Sequence, residues 1–95
     1  MALFVLSCID RPDSLERRMA AREAHLAYVA DHRDMVRLAG PYLNDEGRMA
    51  GSMFVIEAPD RAAVEAFSAA DPYVLADLFE RIDIRVWRVS VGAIA

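Results

Sequence analysis

The chain has 95 residues, a formal net charge of −4 and a hydrophobic content of 56%. That length holds one domain, expected over residues 1–95, with no room for a linker and a second module. The acidic balance and the absence of any basic block argue against nucleic acid and anionic membrane surfaces as partners.

A domain of this size buries only about 60–65% of the surface its unfolded chain exposes. The apolar excess therefore points to a surface that meets another subunit. Cys8 is the only cysteine, so no internal disulfide can form, and a reducing, cytoplasmic setting is expected. No stretch approaches the ~18 apolar residues of a membrane span.

In chain order, Ala2 to Ile9 is an almost unbroken apolar run closed by "DRPD". Without a basic leader it reads as a buried first strand, not a signal peptide. Asp13 followed by Glu16 has the spacing of a capping box, which predicts a helix from about Ser14 to about Asp31. Met35 to Ala39 reads as a second strand stopped by Gly40-Pro41, and residues 42–50 as a polar loop turning at Asn44 to Gly47. "GSMFVIEA" is the third strand, and Pro59-Asp60 opens a helix through "RAAVEAFSAA". Asp71-Pro72 is a second start signal and predicts a short separate helix. "IDIRVWRVSV", 82–91, is the last strand. The order β-α-β-β-α-β is the ferredoxin-like pattern, an α+β fold with a four-stranded antiparallel sheet and helices on one face.

The other face of such a sheet is polar in a monomer. Here both faces of the first and third strands are largely apolar, with Trp87 and Val89 offered by the last. That predicts a homodimer closed through the open sheet face.

At about 100° per residue from Leu15, Met19, Leu26 and Val29 form a packing stripe on the first helix. Arg22 falls inside that stripe, while Arg18 and His25 lie along one flank. Taken alone, His25 is more simply a half-buried histidine bonded to a backbone carbonyl, and Arg22 a snorkelling side chain. Asp71 before Pro72 is sufficiently explained as a helix N-cap, though a carboxylate can also orient and charge an imidazole. Ser7 reads as a ligand hydrogen-bonding group or a wet strand residue. Tyr73 reads as a pocket wall or a core cover, and Cys8 as a small core residue. His25 and His32 lack metal-site spacing, and no phosphate-cradling glycine motif or nucleophile elbow occurs, so neither metal nor cofactor is expected.

"DSLERRMAAREAHLAYV", "LAGPYL", "GSMFVIEA" and "AADPYVLADLFE" occur in this order through nearly the whole chain. Together, R-x-x-H-L, G-P, G-S and D-P-Y make the sequence resemble the YciI-like family. The resemblance implies a dimeric α+β barrel in which two sheets pack face to face. It also implies an active site with a His–Asp pair, carried here by His25 and Asp71, with Arg22 the arginine of the same motif. The family's described chemistry is cofactor-free lyase or dehydrochlorinase action on hydroxylated rings.

Two functions are thus expected from different classes. One is a small cofactor-independent enzyme that transfers protons on a phenolic or carboxylated molecule, with His25 and Asp71 catalytic and Arg22, Arg18, Ser7 and Tyr73 binding substrate. The alternative is a non-catalytic ligand-binding or accessory dimer using the same pocket.

Overall fold

A computed structural model describes residues 1–93; positions 94 and 95 of the expected domain lie outside the described residues. The elements are β1 (Ala2–Asp10), α1 (Leu15–Asp31), β2 (Val36–Leu43), β3 (Met49–Ala58), α2 (Arg61–Ala69), α3 (Pro72–Leu75) and β4 (Phe79–Trp87). The sheet order is β2-β3-β1-β4, with every neighbouring pair antiparallel. This is the ferredoxin-like arrangement, with α3 as an extra turn before β4.

Strand alternation sorts the side chains. Phe4, Leu6 and Cys8 of β1 lie under the helices with Phe54 and Ile56 of β3, Ile84 of β4 and Val36 of β2. Val64, Phe67, Tyr73 and Leu78 close this core from above. Each fully buried large side chain, Phe54 and Leu6 among them, contributes about 1.5–3 kcal/mol through removal from water.

Several local expectations shift. Gly40-Pro41 does not stop β2, which continues to Leu43. It is an edge strand, so the missing N–H of Pro41 removes no ladder bond that the fold needs. The loop shrinks accordingly, and Asn44 Oδ1 accepts from the backbone N–H groups of Glu46 and Arg48, both at 3.0 Å. β4 begins at Phe79 and ends at Trp87 rather than spanning 82–91, because Leu3, near the start of β1, already pairs with Trp87.

The capping box does not form. Asp13 adopts a left-handed φ of 55°, Ser14 takes the N-cap place, and its hydroxyl donates to Pro12 O instead of receiving a helical N–H. α2 starts as expected, with Asp60 Oδ1 accepting from Ala63 N at 2.9 Å.

The open sheet face carries Leu3, Val5, Met53, Val55, Leu38 and Trp87, but β4 adds Arg81, Asp83 and Arg85. The apolar area therefore spans β2, β3 and β1 and gives way to charge along β4, less uniform than the strand patterns predicted. Gly51 sits on this sheet where any Cβ would stand 2.5 Å from Cys8 O and 2.8 Å from Tyr42 Cδ2. Its missing side chain lets Tyr42 lie close, and the Tyr42 hydroxyl meets Ser7 Oγ at 2.9 Å.

Candidate functional site

Between α1, α3 and the β2–β3 side of the sheet lies a cleft of about 250 Å³, lined by Arg18, Arg22, His25, Tyr73, Ser52 and the apolar Leu26, Val29, Pro41, Met49 and Phe54 among others. α1 turns an unexpected face to it. Leu15, Met19 and Leu26 of the predicted packing stripe are exposed, whereas Arg18 and His25 are buried beside half-buried Ala21, Tyr28 and Val29. The buried stripe is centred on the residues read as its flank. Burial of these polar groups is tolerated because each finds a partner inside.

His25 Nδ1 lies 2.8 Å from Asp71 Oδ1, both side chains being at least nine-tenths buried. A carboxylate only accepts, so Nδ1 carries the hydrogen and Nε2 is left as the free ring nitrogen. Among the described residues Nε2 has no hydrogen-bond partner and no fully buried side-chain nitrogen or oxygen is unpaired, so Nε2 opens to the cleft that His25 lines. Asp71 also caps α3, its Oδ1 accepting from Tyr73 N at 2.9 Å. The two readings of Asp71, cap and imidazole partner, coexist in one oxygen atom.

The His25 ring stacks on Tyr73 with centroids 3.8 Å apart and planes 14° from parallel, and Phe54 meets its edge at 5.9 Å. The Arg18 guanidinium carbon lies 4.6 Å from the Tyr73 ring centroid. Burial pushes the Tyr73 phenol above its usual value, only partly offset by the charges of Arg18 and Arg22. The hydroxyl is therefore protonated at neutral pH.

Arg18 is not a free anion clamp. Its Nε donates to Asp10 Oδ2 at 2.8 Å, and its Nη2 donates to Asp10 Oδ1 at 3.0 Å and to Ser52 Oγ at 2.8 Å. Burial works against its charge, but Asp10 outweighs that cost and holds its pKa above the ordinary arginine value. Arg22, half-buried in the same cleft wall, makes no ion pair among the described residues.

The structure thus brings together five of the expected site residues, His25, Asp71, Arg22, Arg18 and Tyr73. Ser7 is not among them. Alternation along β1 turns its side chain to the open sheet face, where it bonds Tyr42. Asp10 and Ser52 were missed, although both share the inward parity of apolar neighbours, Leu6 and Cys8 for one and Phe54 and Ile56 for the other. A carboxylate on an inward position demands a cation, and that signal was readable. Cys8 lies in the core, its thiol pushed up to about 12 by burial and then by the charges of Asp71 and Asp10. Among the described residues no three His, Cys, Asp or Glu side chains gather to hold a metal, and no helix is long and apolar enough to cross a membrane.

Residues 2–88 match the model of the YCII-related domain. The protein YciI of Escherichia coli O6:H1 is 36% identical over 94 residues, covering 90% of this chain and 96% of the relative. An uncharacterised protein of Haemophilus influenzae is 28% identical over 93 residues, covering 90% and 95%. Among solved structures, 5-chloro-2-hydroxyhydroquinone dehydrochlorinase (TftG) of Burkholderia phenoliruptrix, in complex with 2,5-dihydroxybenzoquinone, superposes with a TM-score of 0.86 at 32% identity, covering 93% of this chain and 95% of that one. A NIPSNAP domain protein of Burkholderia xenovorans matches at a TM-score of 0.57 and 14% identity over the full length of both chains, a likeness of fold alone. By the match over residues 2–88 and the identity to YciI, this chain belongs to the YCII-related family.

Proposed function

We propose that this chain is a small cofactor-independent enzyme that moves protons on a hydroxylated or carboxylated aromatic ring. The observation that carries the reading is the buried His25–Asp71 pair in the wall of a cleft. Asp71 holds the imidazole in one tautomer and stabilises the imidazolium, and Nε2 takes the proton. Arg22 supplies the unpaired positive charge for a phenolate or carboxylate oxygen. The cleft of about 250 Å³ is below the usual range for drug-sized ligands, and its mostly apolar walls suit a single ring.

The related dehydrochlorinase supports an elimination as the specific reaction. A halogenated, polyhydroxylated ring would lose one hydroxyl proton to His25 and receive a proton at the carbon bearing the halide. Loss of a second hydroxyl proton would then expel the halide. Two O–H bonds and one C–X bond break, one C–H bond forms, and the products are a quinone and HX.

The test is incubation with chlorinated hydroxyhydroquinones and hydroxybenzoates, following chloride release and ring absorbance. Turnover that falls at least a hundredfold in both His25→Ala and Asp71→Asn supports the reading, in line with the usual worth of a general base. Wild-type rates in both variants overturn it. Thermal stabilisation by the same compounds without product would replace it with a ligand-binding role.

The same reading includes a homodimer closed through the open sheet face. It is supported by the apolar residues of that face, among which Leu38 and Trp87 on the two edge strands remain 39% and 45% exposed.

A further inference from the structure

Arg18 has no role in the chemistry above, yet it is a cation only 2% exposed. Its hydrogen bonds to Asp10 and Ser52 fix the guanidinium plane from two strands, β1 and β3. Arg18 and His25 stand seven residues apart on α1, about two turns or ~10 Å along the axis. The Tyr73 ring fills the interval, in contact with both. The imidazole stacks with its centroid 3.8 Å from that of the ring, and the guanidinium carbon lies over the ring 4.6 Å from the same centroid.

We propose that Arg18 is a positioning residue that acts through Tyr73 on His25: anchored by Asp10 and Ser52, it presses the Tyr73 ring against the imidazole and fixes the plane in which Nε2 meets the substrate. The hydrogen bond to Asp71 restrains one atom of the imidazole and leaves rotation about the Nδ1–Oδ1 line open. A parallel ring 3.8 Å away closes that freedom. Lysine could keep the charge pair with Asp10 but has no planar face to lay on a ring.

The inference rests on the proposed function only for its kinetic arm, since NMR of the substrate-free protein reads His25 directly. The measurement is the proton resonance of His25 Nδ1–H, shifted downfield by its carboxylate partner, with the ring signals of His32 as internal control. In Arg18→Lys the Nδ1–H signal broadens through faster exchange with water while Asp10 stays paired. In Tyr73→Leu it broadens likewise. Tyr73→Phe retains the wild-type signal. If a substrate is in hand, kcat falls in Arg18→Lys and KM does not. A wild-type Nδ1–H signal in either Arg18→Lys or a folded Tyr73→Leu overturns the proposal. Should Tyr73→Leu fail to fold, Arg18→Lys alone decides. Failure of the chemistry with intact NMR effects would sink the proposed function and leave this inference standing.

Discussion

The His25 imidazole and the Asp71 carboxylate meet at 2.8 Å where both side chains are almost sealed from water, and the same Asp71 oxygen caps α3 through Tyr73 N. Helix start and imidazole partner are thus one structural unit. The D-P-Y segment places its carboxylate through the cap and its ring through the first helical turn.

Asparagine at position 71 separates the two duties. In Asp71→Asn the amide oxygen can still accept from Tyr73 N, but the charge that stabilises an imidazolium is gone. Turnover is expected to fall by about 10²–10⁴-fold while the fold persists. Asp71→Ala loses the cap and the buried hydrogen bond as well, and about 2–4 kcal/mol of stability. Urea unfolding of the two variants, read beside steady-state rates, checks both statements.

The Asp10–Arg18 pair is expected to show the asymmetry of a buried ion pair. Removing one partner, as in Arg18→Met, strands the Asp10 carboxylate and costs about 3–5 kcal/mol. The double variant Asp10→Leu/Arg18→Met is expected to cost less than the sum of the single changes. A double-mutant cycle by chemical denaturation measures the difference.

Pairing through the open sheet face predicts a particle of about twice 10.6 kDa by light scattering. Val5→Glu places a charge at the centre of that face, beside Val55 and Arg85, and is expected to give a folded monomer. A wild-type mass of one chain at micromolar concentration would contradict the pairing.

Cys8 is expected to be inert in the native state. With its pKa raised from 9.0 to about 12, only about one thiol in ten thousand is ionised at pH 8, and thiolate is the reactive form. A thiol reagent should label it at the rate of unfolding. The sign of the linkage follows. Below pH 9 neither state ionises and the contribution to stability is complete. From pH 9 to about 12 the unfolded chain loses the proton first, so stability falls by about 1.4 kcal/mol per pH unit. Denaturation curves at pH 8, 9 and 10, compared between the native chain and Cys8→Ala, isolate this contribution.

The element order, the two helix starts at Asp60 and Asp71 and the apolar inward face of β1 are legible in the sequence because they are local. Turn chemistry, caps and the period of two act within a few residues. The face that α1 buries is not local. Counting apolar residues selects Leu15, Met19 and Leu26, yet the helix turns Arg18 and His25 inward, since Asp10, Ser52 and Asp71 offer more to those two side chains than apolar contact offers the others. The same holds for β2, which runs through Pro41 because its place at the edge makes the missing N–H harmless. By itself the sequence determined which elements exist and which residue types could carry proton chemistry. Only the tertiary structure decided which of them share a cleft, because hydrogen-bond partners 8, 34 and 46 residues apart in the chain pair only when the sheet and helices have packed.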